Sequence, residues 1–284
     1  LQRVRFAVPQ HMLDAADVIL DNTAEFSVSE EDARVYRGVA KVGSGPVHFP
    51  ITVDKRGRMY YRGGLVTPQG IDFCKAAFQF ADAVALGDTG FDAIAIHTAN
   101  VCGMDKVSIK QRIEWVQDNI ESGTFGEITD FFDVMEKFPK ADTFQATVAI
   151  LEINRILALG VDPATVKSTL VCHQDGTCNG LQHMAAITGS RETAESVNCV
   201  ASTWEDTPSD IYGIIAAVAV ELTVGAASEL IAKYGRNMAK NPVMIVGYGA
   251  REVTVVANTV KFLKKHGEDE ALGEVIGKAY MSAI

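Results

Sequence analysis

Cysteine is scarce in this chain, and its few thiols show no pattern of pairing. The 284 residues contain five cysteines, an odd number, and no two of them have the C-x-x-C spacing that is typical of metal or redox motifs. A disulfide-stapled secreted domain would carry more cysteines at regular spacing. The composition therefore predicts reduced thiols in a cytoplasmic protein.

Membrane spans, targeting segments, internal repeats and low-complexity linkers are also missing from the sequence. The apolar stretch from Ile211 to Ala227 contains Glu221 and is too short and too rich in Ala and Gly to predict a membrane span. We interpret it as a buried helix with Pro208 in its first turn. No signal peptide or arginine-rich transit segment opens the sequence, so we expect no membrane partner.

An excess of positive charge is absent as well. The formal net charge is −10, whereas proteins that bind nucleic-acid phosphates usually present a basic surface. Basic residues nevertheless concentrate within residues 55–75 and 236–265, and acidic runs such as residues 30–32 and 268–270 lie elsewhere. This distribution predicts a basic cleft in an acidic body.

The pattern of apolar and capping residues predicts a mostly helical α/β fold. Hydrophobic side chains make up 48% of the chain, enough for a core divided between two subdomains. Helices are expected at residues 12–20, from 29, within 70–100, at 108–121, twice within 127–160, and at 181–187, 208–224, 226–234 and 252–264. Strands are expected near residues 48–54, 59–66 and 168–174.

The most informative stretch is Arg236-Asn-Met-Ala-Lys240-Asn-Pro-Val-Met-Ile-Val-Gly-Tyr248-Gly249. Residues four apart share a helix face, so Arg236 and Lys240 can point at one polyanion. Tyr248 lies about two turns beyond Lys240 and can meet the other end of the same ligand. Two cations on phosphates and a phenol against a sugar or base suit a nucleoside triphosphate. Taken alone, the two cations would be an ordinary solvated helix face.

Proline interrupts this stretch at position 242. Inside a helix it costs about 3 kcal/mol, whereas the first helical position tolerates it. We therefore expect Asn241 as an N-cap and Pro242 as the first residue of a new helix, with Arg236 and Lys240 on a preceding short helix or kinked turn.

A second stretch, Val171-Cys-His-Gln-Asp175-Gly-Thr-Cys-Asn-Gly180-Leu-Gln-His183, lies about 60 residues earlier. A strand, a glycine-rich turn and a helix would hold Asp175 rigidly at a strand end, open to a divalent metal. Magnesium prefers one or two carboxylates together with substrate phosphates and water. Two other interpretations remain: a plain Asp-Gly turn, and a zinc cluster of Cys172, His173, Cys178 and His183.

Together these stretches resemble the single-subunit, phage-type RNA polymerases of phages and mitochondria. The family's motif A, Asp-Gly-x-Cys-x-Gly-x-Gln-His, matches residues 175–183, and its motif B, Arg-x3-Lys-x7-Tyr-Gly, matches residues 236–249. Asp210-Ile-Tyr212-Gly213, here the connecting motif, resembles the segment between them. Phe49-Pro50-x3-Asp54-x-Arg56-Gly57-Arg58-x-Tyr60 and the following Pro68-Gln69-Gly70-x-Asp72-x2-Lys75 resemble the family's template-contacting segment.

The resemblance implies a right-hand polymerase fold and a set of roles. Residues 1–44 would form an N-terminal segment, residues 45–195 a palm portion with the template segment and motif A, and residues 196–284 a fingers portion with motif B. Mg²⁺ would be held by Asp175 and the carbonyl of Gly176. Arg236 and Lys240 would grip the triphosphate, and Lys240 would protonate the leaving pyrophosphate. Asp54, Arg56, Gly57 and Arg58 would contact the template.

The resemblance also implies partners and a choice of product. DNA template, RNA product and ribonucleoside triphosphates would be bound, in the host cytoplasm if a phage encodes the chain. Tyr248 would check the ribose. In related DNA polymerases a bulky Glu near the motif A aspartate fills the space of a 2′-hydroxyl, whereas Gly180 leaves it open. RNA synthesis is therefore favoured over DNA synthesis.

One element of the family pattern is missing. The family's second metal-binding aspartate lies in a His-Asp-Ser/Ala motif, motif C, and no His-Asp pair occurs in these 284 residues. Two-metal phosphoryl transfer rarely relies on one carboxylate. We therefore expect motif C on a second polymerase chain or on a missing segment of a longer protein. The alternative is a catalytically incomplete relative that binds template or scaffolds a complex.

Overall fold

The structure, a computed structural model, describes residues 2–55, 57–62, 64–174, 176–200 and 202–284. Asp175 and Arg56, both assigned roles from the sequence, thus lie outside the described residues. The chain divides into two compact units, Leu1–Gln174 and Asp175–Ile284. This division falls between residues 174 and 175, whereas the sequence places the limit of the palm portion at residue 195. The palm and fingers assignment stays a prediction.

The first unit combines helices with short antiparallel strand pairs. Its helices are α1 Gln10–Asp21, α2 Glu30–Val42, α3 Asp72–Ala77, α4 Gly87–Ala99, α5 Ile109–Glu121, α6 Phe131–Lys137 and α7 Thr143–Ala158. Its strands are β1 Phe6–Ala7, β2 Ile51–Val53, β3 Met59–Tyr61, β4 Gln79–Phe80, β5 Val84–Ala85 and β6 Lys167–Ser168. They pair as β1 with β4, β2 with β3, and β5 with β6.

Capping residues set several helix starts where the sequence predicts them. Ser29 accepts a hydrogen bond from the Asp32 amide at the start of α2. Ser108 and Gln111 form a capping box before α5, which satisfies two amides that would otherwise lack partners. The helix expected at residues 108–121 is therefore confirmed, and its buried residue is Val116.

Two apolar clusters make up the core of the first unit. One joins β1, α1, α2 and α3 around Phe6, Met12, Val39 and Phe73. Residues between Phe6 and Val39 thus contribute to this core. The other cluster joins α4, α5 and α7 around Ile94, Val116 and the fully buried Ile150 and Ile153.

In its described residues, the second unit has helices joined by loops and has no strand. It contains α8 Asn179–Thr188, α9 Arg191–Ser196, α10 Ile211–Glu221, α11 Ala226–Tyr234, α12 Arg236–Val246, α13 Glu252–Lys265 and α14 Gly273–Ala283. One apolar cluster spans α8 and α10 to α14, with Ile231, Met238, Val243, Leu263 and Tyr280 fully buried. The mostly helical prediction is confirmed.

Several sequence-based expectations about elements are wrong. The strand expected at residues 168–174 is only Lys167–Ser168, because these two residues alone find a partner in β5. Pro208 lies outside α10, which begins at Ile211. The stretch at residues 70–100 includes the short strands β4 and β5 between its helices. Among the described residues, no helix has both the length and the apolarity that crossing a membrane requires.

Candidate functional site

The turn of motif A is built from residues with special backbone requirements. Cys178 adopts a left-handed conformation with φ 53° and precedes the first turn of α8. Its carbonyl accepts hydrogen bonds from the amides of Leu181 and Gln182, at 3.0 and 3.1 Å. A Cβ atom at position 176 would collide with the side-chain oxygen of Asn179. The side chain of Asn179 would have to rotate away to admit such an atom.

The side-chain atoms near Gly176 are of the type that binds hard cations. Amide oxygens of Asn179 and Gln182 face this glycine, and oxygen is the ligand type that magnesium prefers. Among the residues that the structure describes, no group of three or more His, Cys, Asp or Glu side chains could hold a metal ion. The interpretation of Cys172, His173, Cys178 and His183 as a zinc cluster therefore gains no support.

The helices of motifs A and B meet at two glycines. A Cβ atom on Gly180 would lie 2.9 Å from the Cα of Gly247, and one on Gly247 would lie 2.6 Å from the carbonyl carbon of Gly180. Real Cβ atoms essentially never come so close. The backbone of Gly247 therefore accounts for the lack of a side chain at residue 180, and the expected space for a 2′-hydroxyl stays a prediction.

Arg236 and Lys240 lie on one helix. α12 runs from Arg236 to Val246 with Pro242 inside it, so the expected break at Asn241 does not occur. Proline in a helix interior loses a backbone hydrogen bond. Burial of Met238, Ala239 and Val243 on the same helix offsets that loss. The two cations, one turn apart, share a face as the spacing predicts, and Lys240 is exposed with no ion pair to any described residue.

Arg236 is held by the connecting motif. Its Nε donates a hydrogen bond to Oδ1 of Asp210 at 3.1 Å and lies 3.0 Å from Oδ2. Its guanidinium carbon lies 5.3 Å from the ring centre of Tyr212, within the range of a cation–π interaction. A Cβ atom on Gly213 would approach the Asp210 carboxylate to 3.0 Å. The Asp-x-Tyr-Gly pattern thus fits the requirements of this contact.

Tyr212 connects motif B to motif A. Only 6% of its surface is exposed, and burial, together with the adjacent Cys178 thiol, raises the pKa of its phenol. The phenol therefore stays protonated at neutral pH. Side chains of motif A, the connecting motif and motif B form one contiguous group: Cys178, Tyr212, Arg236 and Asp210.

Tyr248 follows the end of α12 in a tight turn. Its amide donates to the carbonyl of Ile245 at 3.1 Å, and the amide of Gly249 donates to Val246 at 2.8 Å. Gly249 has φ 84°, a conformation that glycine adopts without strain. This turn leaves Tyr248 half exposed, at 49%, directly beside the Gly180–Gly247 contact.

The template-like segment forms the hairpin of β2 and β3 in the first unit. Asp54 closes its turn: Oδ1 accepts from the Arg58 amide at 3.0 Å, and the Asp54 carbonyl accepts from Gly57 at 2.9 Å. Gly57 has φ 80°, which explains the glycine. Arg58 is exposed. Asp54 and Gly57 thus stabilise the turn of the hairpin, and their contact with the template stays a prediction.

Asp72, the acidic residue that follows this segment, also has a structural role. It accepts hydrogen bonds from the amides of Phe144 and Gln145 and from the Gln145 side chain, at 2.8, 3.2 and 2.9 Å. These groups belong to the first turn of α7, so Asp72 caps that helix from a distance. Burial raises the pKa of the Asp72 carboxyl in spite of these donors.

Two partners at the site were missed by sequence reasoning. Asp210 and Tyr212 stand in a motif that is recognisable in the sequence, and their contact with Arg236 could have been proposed from charge and aromatic type. The contact of Gly180 with Gly247 has no signal of that kind. Gly247 is one glycine among 24, in a position that the motif leaves free.

Comparison with known proteins identifies the family of this chain. A family model described as DNA-dependent RNA polymerase matches residues 84–283. The DNA-directed RNA polymerase of Pseudomonas phage phiKMV is 32% identical over 249 residues, covering 84% of this chain and 30% of that protein. A mitochondrial DNA-directed RNA polymerase of Nicotiana tabacum, 1B, is 30% identical over 259 residues, covering 83% and 25%.

A third relative, the mitochondrial DNA-directed RNA polymerase of Neurospora crassa, is 34% identical over 191 residues, covering 67% of this chain and 13% of its own length. This chain thus spans at most about a third of these relatives. The family model covers well over half of the chain and includes motif A, the connecting motif and motif B. The chain belongs to the family of single-subunit, phage-type DNA-dependent RNA polymerases.

Proposed function

We propose that this chain supplies the nucleotide-binding part of an RNA polymerase that copies a DNA template by adding ribonucleotides to an RNA 3′ end. The observation that carries the proposal is the convergence of three sequence motifs within the second unit. Gly180 touches Gly247, and Arg236 contacts Asp210 and Tyr212. These contacts bring residues from three separate segments to one place.

Each motif then has a role in the proposed reaction. Arg236 and Lys240 bind the triphosphate, since a guanidinium and an ammonium one turn apart can contact successive phosphates. Lys240 also gives a proton to the departing pyrophosphate. Tyr248 contacts the sugar and favours ribonucleotides. Arg56 and Arg58 contact the template or the hybrid backbone.

Mg²⁺ would be held by Asp175 and the carbonyl of Gly176, and when bound it would neutralise charge on the reacting phosphates. The amide oxygens of Asn179 and Gln182 around Gly176 are compatible with such a hard cation. The second carboxylate would come from motif C, on a second polymerase chain or on a further segment of this protein. Until it is in place, the site binds nucleotide without catalysis.

The test is a template-directed incorporation assay on the native assembly that contains this chain. We expect Asp175→Asn to abolish ribonucleotide incorporation while the assembly keeps its native mass. Asp118→Asn on the exposed face of α5 is the matched control and should retain full activity. Normal elongation by Asp175→Asn would disprove the role of Asp175.

A second candidate function is a template-binding or scaffolding subunit without catalysis, favoured by the absence of a His-Asp pair. Native mass and incorporation separate the two. Incorporation that depends on Asp175 requires the enzyme. An assembly that binds template equally well with and without the Asp175→Asn substitution, and whose incorporation is unaffected by changes at Arg236 and Lys240, would indicate the scaffold.

A further inference from the structure

Asp210 occupies an unusual position for a carboxylate beside a site that must attract a triphosphate. Its charge opposes a polyanion, yet it lies within 3.1 Å of the Nε of Arg236, the cation that the proposed function assigns to that polyanion. A carboxylate this close to the proposed triphosphate site weakens binding by repulsion, unless it supports binding in another way.

The atoms used by the contact show what it contributes. Asp210 engages the Nε edge of the guanidinium, and among the described residues the two terminal nitrogens of Arg236 have no hydrogen-bond acceptor. Those nitrogens form the fork that binds phosphate oxygens in pairs. The side chain of Arg236 is 32% exposed, so part of it faces solvent.

Tyr212 completes the support. Its ring lies beneath the guanidinium at 5.3 Å and is itself fixed by burial. A free arginine side chain samples many rotamers, and ordering it on binding costs conformational entropy. A salt bridge on one edge and an aromatic ring on one face remove most of that freedom before the ligand arrives.

We propose that Asp210 is a positioning residue, which fixes the guanidinium of Arg236 so that its terminal nitrogens are ready for the triphosphate. The inference rests on the proposed function, in which Arg236 binds the triphosphate. Asp210 touches no reacting atom and acts through Arg236 alone.

The experiment measures steady-state ribonucleotide incorporation by the native assembly with Asp210→Asn, Arg236→Lys and the double variant. Asp210→Asn should raise KM for ribonucleoside triphosphates about tenfold and change kcat by less than about twofold, since preorganisation acts on binding. Inhibition by inorganic tripolyphosphate should weaken by a similar factor. Glu221→Gln, at the other end of α10, is the control and should change neither.

The double variant tests whether Asp210 acts through Arg236. Lysine has no Nε–H group to hold, so adding Asp210→Asn to the Arg236→Lys variant should cause little further loss, and the effects should be far from additive. If Asp210→Asn fails to fold, Asp210→Glu keeps the charge one methylene further away and should show the same rise in KM on a smaller scale.

The outcomes separate this inference from the proposed function. Additive effects, or a lower KM in Asp210→Asn, would overturn the positioning role while leaving a defective Arg236→Lys as support for the polymerase site. Unchanged incorporation in Arg236→Lys and Asp175→Asn would remove the proposed function itself, and the positioning role with it.

Discussion

The backbones of Gly180 and Gly247 are in direct contact, with no room for a Cβ atom on either residue. This contact joins the first turn of α8 to the C-terminal end of α12, one residue before Tyr248. The sequence explains the glycine at position 180 by the room that it would leave for a ribose 2′-hydroxyl. In the structure it is explained by the neighbouring helix, because any side chain at either position would separate the two segments.

Alanine at either glycine should destabilise the second unit. The added methyl group meets backbone atoms, which cannot rotate away, so we expect Gly180→Ala and Gly247→Ala each to lower the free energy of unfolding by about 1–3 kcal/mol. Chemical denaturation of the full chain measures it. Gly126→Ala is the control, since nothing lies within 4 Å of a Cβ atom there. Wild-type stability in both variants would contradict the contact.

Removal of the Tyr248 hydroxyl should reduce discrimination between ribonucleotides and deoxyribonucleotides. A site that hydrogen-bonds a hydroxyl rejects the analogue that lacks it, so Tyr248→Phe should admit deoxyribonucleotides roughly tenfold more readily relative to ribonucleotides. Competing incorporation of the two substrates by the native assembly measures this ratio. Tyr36→Phe, in the core of the first unit, is the matched control. An unchanged ratio would exclude Tyr248 from sugar selection.

Replacing the helix-interior proline should strengthen α12. Pro242→Ala restores an amide donor toward the carbonyl of Met238 and removes the clash of the proline ring with it, a gain of about 3 kcal/mol. The cavity left by the buried ring and the greater freedom of the unfolded chain reduce the net gain to about 1 kcal/mol in unfolding free energy. Pro208→Ala, outside any helix, should have a much smaller effect. If position 242 instead began a new helix, alanine there would give no gain, because proline is favoured at a first helical position.

His97 should make the first unit sensitive to acid. The ring is 3% exposed, its Nδ1 has no partner among the described residues, and burial, with repulsion from His173 as a second cause, lowers its pKa from 6.5 to about 4. Between about pH 6.5 and pH 4, His97 is therefore protonated in the unfolded state and neutral in the folded state. The free energy of unfolding thus falls as the pH drops through this range.

The measurement is urea unfolding of the full chain at pH 7 and at pH 4.5. His97→Gln should lose less stability between these values than the wild type, by about 2 kcal/mol. His48→Gln, whose ring is exposed, should follow the wild-type curve. Identical pH dependence in all three proteins would show that His97 does not contribute.

Helices with strong local signals were predictable from the sequence. α1, α2, α5, α7, α11 and α13 lie where spacing and capping residues place them, because their patterns are encoded within one segment. The strand expected before Asp175 was not predictable, since a β-prone run becomes a strand only where a partner strand faces it, and β5 faces only Lys167 and Ser168.

The candidate site was predictable in composition and less so in arrangement. Arg236 and Lys240 share a helix as their spacing predicts, while Pro242 suggested a break that packing overrides. The ion pair of Arg236 with Asp210 spans 26 residues, and sequence spacing carries no information about such a distance. Tertiary contacts determine both the continuity of α12 at Pro242 and the ion pair of Arg236.

The left-handed conformation of Cys178 has a consequence for where the shape of the motif A turn is encoded. A non-glycine residue pays roughly 1–2 kcal/mol to adopt it, so the nine residues of the motif, taken as an isolated peptide, would relax into a different bend. The phenol, the helices and the glycine contact that surround Cys178 impose the curvature from outside. The same nine-residue sequence placed in another scaffold would therefore not adopt the conformation that it has here.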